Sequence, residues 1–248
     1  MRENRAPGSV QGASGNRRSY CDTEMKRGLF ITGTDTGCGK TEITLGLMHR
    51  LRTRSVSVLG MKPVATGATR TPEGLRNEDA LRIQGQCSDH IPYEWVNPFA
   101  YEPPIAPHLA AEAASRPIDV QTIVDDYIRL SDLADWVVVE GVGGWSVPLD
   151  REKRIADLAC RLDLPVVLVV SLQLGCINHA LLSEACIRQS GVRFAGWVAN
   201  QVAPGMDARE GNLRSLRERL SVFCLGEVFW LLNPSPAEVG AYLDVQSL

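Results

Sequence analysis

The sequence predicts an α/β three-layer sandwich, with a mostly parallel central sheet and helices on both faces. Short apolar runs rich in β-branched residues alternate with helical stretches from Lys26 onward, the pattern of βα units that build a parallel sheet. Several runs are apolar at nearly every position, as strands covered on both faces must be. The residues with the most chemical character fall just after these runs, where ligands bind in open α/β sheets.

The predicted strands, in order, are "GLFITG" (28–33), "VSVLGMKPV" (56–64), "DWVVVEG" (135–141), "PVVLVVS" (165–171), "FAGWVANQV" (194–202) and "CLGEVFW" (224–230). The predicted helices are 40–53, 78–86, 105–115, 119–133, 154–162, 177–190, 207–220 and 235–243. At 248 residues the chain suits one large domain, placed at 27–248. Residues 1–26 are read as a disordered tail: polar, rich in Gly, Ser, Asn and Arg, and without a secretory apolar core. A transit peptide is the alternative, weakened because no apolar face is visible, and Met25 is a candidate start of the functional protein.

A hydrophobic content of 44%, a charged content of 22% and a net charge of −3 describe an ordinary globular composition with no basic patch for nucleic acid. The longest apolar runs are too short to cross a bilayer, so no membrane role is expected. Seven cysteines are scattered singly, which argues against a disulfide framework or zinc site and suits a reducing cytoplasm.

The most specific segment is "GTDTGCGKTE" (33–42). It lies between a strand and a helix, the context in which Gly-Lys-Thr cradles phosphate. Compared with the strict G-x-x-x-x-G-K-[ST] pattern, Thr34 occupies the first glycine position and Gly33 comes one residue early. Backbone N–H groups from Gly37 through Cys38, Gly39 and Lys40 to Glu42 would face phosphate. Lys40 would neutralise terminal phosphate oxygens, and Thr41 would offer its hydroxyl to Mg2+. Cys38 reads as a small filler, and Glu42 is expected to act only through its backbone N–H. These features indicate a P-loop NTPase-like sheet.

Glu140, at the expected tip of "WVVVEG", is placed to hold magnesium, and Gly141, Val142 and Gly143 after it allow close backbone approach. Lys62 ends the second strand run, and Thr66 follows with a hydroxyl. Asp79 lies near a helix start, where an acid is commonly a dipole partner or cap, and spacing alone does not choose among these roles. "LGCINHA" opens a helix whose free N–H groups suit a carboxylate or phosphate; His179 within it reads as packing or surface.

With these segments assembled, the chain resembles the dethiobiotin synthetases, enzymes of biotin synthesis. "GTDTGCGKT" matches the family loop G-T-D-T-x-x-G-K-T, shifted glycine included. "KPVATG", "TPEGLRNEDA", "VEGVGGW", "LGCINHA" and "GWVAN" follow in the family's order, with "NP" (97–98) and "PIAPH" (104–108) between them. The resemblance runs from about Leu29 to the C-terminus. It implies a ligase that uses 7,8-diaminopelargonate, CO2 and ATP with Mg2+, forms a carbamate and a carbamic-phosphoric anhydride, and closes the cyclic urea of dethiobiotin. It also implies a cytoplasmic homodimer with active sites at the interface.

By residue, the resemblance implies phosphate binding by Gly37 to Glu42, with Thr41, Asp79 and Glu140 around magnesium. Lys62 would be the catalytic lysine, supported by Lys40 and Thr36, and Thr66 would touch substrate. Asn200 and Gln201 match the adenine-reading region, extended by Phe229, Trp230 and Leu231. The helix start at Gly175, Cys176 and Asn178 would receive the substrate carboxylate of the other subunit. Some relatives have glutamate at Gly37, so any contribution from that carboxylate is absent here; relatives often have proline at Phe229 and some have glutamate near Ser235, and these two departures bear on the purine contacts. A partner-regulated switch ATPase would carry a signature lysine where Asp35 stands, and a cobyrinate-type amide synthase would add a glutaminase domain. Intact Lys40, Lys62, Asp79 and Glu140 weigh against a non-catalytic nucleotide-binding module.

Overall fold

The computed structural model describes residues 27–248; the tail assigned to 1–26 lies outside them. The chain runs β1 (Arg27–Gly33), α1 (Lys40–Arg52), β2 (Val58–Met61), β3 (Val64–Thr66), β4 (Thr69–Thr71), β5 (Gly74–Arg76), α2 (Glu78–Gln86), α3 (Tyr93–Val96), β6 (Phe99–Tyr101), α4 (Pro107–Ala113), α5 (Val120–Leu133), β7 (Trp136–Gly144), α6 (Ile155–Leu162), β8 (Val166–Ser171), α7 (Cys176–Gln189), β9 (Phe194–Asn200), α8 (Arg209–Arg219), β10 (Cys224–Val228) and α9 (Pro236–Gly240). The main sheet has the order β10-β9-β8-β1-β7-β2, and every pairing in it is parallel. All six of its strands were predicted.

The sheet is buried on both faces, which accounts for the continuous apolar runs: Val137 to Val139 and Val166 to Val170 are fully buried. Each such side chain contributes about 1.5–3 kcal/mol when removed from water. From β1 the chain moves out to β2, whereas from β8 it moves the other way to β9. The crevice at the carboxyl ends of β1 and β8 is therefore the topological switch point, where such sheets bind ligands. Among the described residues, no helix is long and apolar enough to cross a membrane.

Several predicted boundaries differ. The run 56–64 is not one strand: it leaves the sheet at Lys62-Pro63. Proline has no N–H for the ladder, and the backbone is captured elsewhere. Lys62 N donates to Val96 O at 2.8 Å, and Phe99 N to Pro63 O at 3.1 Å. The chain resumes as β3, paired in parallel with β6. Second, Glu140 is not at a strand tip, because β7 continues to Gly144 across a register shift opposite Ile31/Gly33. Third, α7 starts at Cys176 and α9 stops at Gly240. The pieces β3 to β6 and α3 are too short to leave a periodic signal and were not predicted.

Candidate active site

The loop after β1 is fastened to its neighbours by its own polar atoms. Thr34 N donates to Val169 O at 3.0 Å, and Ser171 N donates to the Thr34 hydroxyl at 3.3 Å. The threonine in the usual glycine position thus links β1 to β8. The Asn200 amide, at the end of β9, donates to Cys38 O at 2.9 Å from the other side. Gly37 and Gly39 have φ of 75° and 85°, a region where a Cβ is strained. No side chain caps α1 at Gly39, which leaves the helix start open to an anion, as phosphate binding requires. A Cβ at Gly39 would also overlap the Asn200 amide nitrogen. Gly39→Ala is therefore expected to lower stability by about 1–3 kcal/mol and to weaken nucleotide binding, read by thermal unfolding with and without ATP.

Beside the loop, four polar side chains converge, from α1, α2, β7 and the break after β2. Thr41 Oγ1 donates to Glu140 Oε1 at 2.9 Å. The Lys62 ammonium also pairs with Glu140 Oε1 and reaches Asp79 Oδ2 at 3.4 Å. Lys62 is 5% exposed and Glu140 0%. Burial alone would pull the Lys62 pKa down, but Glu140 and then Asp79 outweigh it, so the pKa is raised and the ammonium stays charged at neutral pH. Asn77 is the residue that caps α2, accepting from Ala80 N at 3.2 Å, which leaves Asp79 free to face Lys62.

Glu140 Oε2 is buried and has no hydrogen-bond partner. An orphaned carboxylate oxygen beside a threonine hydroxyl and a second carboxylate fits a divalent cation of the magnesium type, which takes one or two protein carboxylates and completes its shell with water and phosphate. Accordingly, no cluster of three or more His, Cys, Asp or Glu side chains is needed, and none occurs among the described residues.

A cavity of about 310 Å³ joins these groups. Of the residues singled out from sequence, it is lined by Thr36, Gly37, Gly39, Lys40, Thr41, Glu42, Lys62, Thr66, Asp79, Glu140, Val142 and Gly143. Lys40 Nζ donates to Asp35 O at 2.9 Å, across the loop it would vacate for phosphate. Cys38 is buried, as a filler should be. The Glu42 carboxylate, given no part in the sequence reading, is bound by Arg82. Arg82, Asn77 and Ala65 also line the cavity and were missed. The spacing of Arg82 from Asp79, one helical turn, was the available signal.

A family model described as an AAA domain matches residues 27–237. The ATP-dependent dethiobiotin synthetase BioD of Pseudomonas paraeruginosa (strain DSM 24068 / PA7) is 50% identical over 221 residues, covering 89% of this chain and 97% of that protein. The chain belongs to the dethiobiotin synthetase family. The Cellvibrio japonicus member is 47% identical over 90% of this chain and 98% of its own length. Among solved structures, the septum site-determining protein MinD of Pyrococcus horikoshii, complexed with Mg-ADP, aligns with a TM-score of 0.56 at 14% identity, covering 82% of this chain and 81% of that one. A ParA family ATPase of Chlorobium tepidum aligns with a TM-score of 0.51 at 12% identity, covering 89% and 91%. These two likenesses concern the fold alone.

In this dethiobiotin synthetase family member, the other residues singled out lie outside the cavity. Gly141 packs near Phe30. Gln201 follows β9, its side chain bonded to Ala203 O and Arg209. Phe229, Trp230 and Leu231 follow β10; Phe229 meets the Tyr242 ring edge-on and lies under the Arg209 guanidinium at 4.4 Å. Ser235, near where some relatives have glutamate, instead caps α9 in a reciprocal pair with Glu238. Gly175, Cys176 and Asn178 form the start of α7, where Gly175 has φ 94° and no side chain caps the helix.

Proposed function

We propose that this chain closes the cyclic urea of dethiobiotin from 7,8-diaminopelargonate, CO2 and ATP, releasing ADP and phosphate. The observation that carries the reading is the convergence of Thr41, Lys62, Asp79 and Glu140 beside an uncapped helix start, in a chain half identical to enzymes named for ATP-dependent dethiobiotin synthesis.

The reaction brings an anionic carbamate to an anionic γ-phosphate, so positive charge must be concentrated between them. Lys62 supplies it from a buried position where Glu140 and Asp79 hold the ammonium charged at neutral pH, and Lys40 supplies it at the loop. Thr41, Asp79 and Glu140 would hold Mg2+, which, when bound, neutralises phosphate charge and orients the transferring group. Thr36 and Thr66 flank the same cavity and would hold the substrate end that carries the amines. Fixing both amines in one pocket makes the ring-closing attack effectively unimolecular. Asn200, Gln201 and the segment Phe229 to Leu231 are proposed to bound the adenine. The direct test is ATP turnover, which should require bicarbonate and diaminopelargonate together; turnover indifferent to either would reject the reading.

The start of α7 is proposed as the grip for the substrate carboxylate of a partner subunit in a homodimer. Leu174, adjacent to Gly175, is 99% exposed, and Leu182 on the same helix is 60% exposed, apolar surface suited to cover by a second chain. The expected result comes from mixing two inactive variants, Lys62→Gln and the pair Gly175→Pro with Asn178→Ala. Under two-fold geometry, half of the dimers are mixed and each has one intact site of two, so about a quarter of wild-type activity returns. No recovery, with mixed dimers formed and both variants folded, would place grip and lysine in one chain's site. The scattered cysteines suit a cytoplasmic setting for this chemistry.

A further inference from the structure

Glu42 and Arg82 are joined by two parallel hydrogen bonds, Nη1 to Oε1 at 2.7 Å and Nη2 to Oε2 at 2.8 Å. Neither side chain has a part in the chemistry described above, yet both line the cavity. Their placement gives the pair a role. Glu42 follows Thr41 in the first turn of α1. Arg82 stands one turn beyond Asp79 in α2, on the same helix face. The fork therefore ties the helix that presents Thr41 to the helix that presents Asp79.

Asp79 needs such support. Its side chain is 42% exposed and its bond to Lys62, at 3.4 Å, is at the long end of the range, so its position is set by its helix more than by its own contact. Asn77 anchors the start of α2, through its cap to Ala80 N and its N–H to the Tyr93 hydroxyl at 2.8 Å. The Glu42–Arg82 fork anchors the next turn to α1. An isolated pair of this exposure contributes little to global stability. A planar, bidentate guanidinium–carboxylate contact nevertheless fixes orientation and distance in a way a lysine cannot.

We infer that Glu42 and Arg82 are positioning residues: their fork sets the separation of the Thr41 hydroxyl and the Asp79 carboxylate, and thereby the affinity of the site for magnesium with nucleotide. The inference rests on the magnesium reading of Thr41, Asp79 and Glu140.

The test is calorimetric binding of ADP to the full chain, with and without magnesium, which gives the increment in affinity that the metal adds. Arg82→Gln should reduce that increment about three- to ten-fold, and Arg82→Lys should lie between it and wild type, because the charge stays and the fork is lost. The exchanged pair, Glu42→Arg with Arg82→Glu, should recover most of the increment. Thermal unfolding of each variant establishes that it is folded. An unchanged increment in Arg82→Gln, with Asp79→Asn losing it, would overturn the inference while leaving the magnesium site intact. Failure of the folded exchanged pair to recover would show that the two residues do not act as a pair, which also overturns it. Absence of any increment in wild type would reject the magnesium reading itself, and the inference with it.

Discussion

Lys62→Gln is expected to lower the rate of urea formation by on the order of 100-fold or more, the range for losing a donor that stabilises charge in a transition state. Glutamine keeps much of the length and a dipole but removes the ammonium proposed to face the carbamate and the transferring phosphoryl group. The substitution leaves the buried Glu140 carboxylate with the Thr41 hydroxyl but without its counter-charge, so stability should fall by up to about 3–5 kcal/mol, and thermal unfolding is read beside the rate. Because Glu140 and Asp79 hold the Lys62 pKa above its ordinary 10.5, no loss of activity from Lys62 deprotonation should appear as pH rises through neutrality. Its contribution to stability has the same sign: fully present below the unfolded pKa, and lost only as pH climbs through the raised folded value. Near-normal single-turnover rates in Lys62→Gln would remove this residue from the chemistry.

Glu140→Gln should have the second large effect, and on two readouts. The magnesium titration of activity should move to higher concentration, because the carboxylate with the unpartnered oxygen is replaced by a neutral amide. Stability should fall as well, since Lys62 loses its closest counter-charge in a buried setting. The cost should be below the about 3–5 kcal/mol typical of breaking a buried pair outright, because Asp79 remains near the ammonium. A magnesium titration that overlays wild type would show that Glu140 neither binds the ion nor stands close to it.

The sheet was legible because several of its strands, β8 above all, are buried on both faces and leave nearly unbroken apolar runs; β10, partly buried at Cys224, Gly226 and Glu227, leaves the weakest. The phosphate loop was legible because it lies between a strand and a helix, and because Gly39, Lys40 and Thr41 must follow one another at fixed spacing. What escaped was set by partners distant in sequence. The break of the second strand at Lys62-Pro63 depends on Val96 and Phe99, more than thirty residues on. The extension of β7 beyond Glu140 depends on Gly33 accepting a shifted register. The role of Asp79 was open in sequence, because an acid at a helix start is commonly a dipole partner or a cap; the Asn77 side chain takes the cap, and Asp79 pairs with Lys62 across the cavity. Arg82 was missed for a similar reason: an arginine on a helix reads as solvated surface until the carboxylate across the groove is known.

The account's central claim is that one cavity holds the loop, Lys62 and the metal-facing carboxylates together for urea closure. The measurement that tests it most directly is mass-spectrometric detection of product after incubation with diaminopelargonate, isotopically labelled bicarbonate and Mg-ATP. The account predicts dethiobiotin carrying the label in its urea carbon, formed with ADP, and nearly absent with Lys62→Gln. ATP consumed without labelled dethiobiotin, or the same product yield from Lys62→Gln, would contradict it.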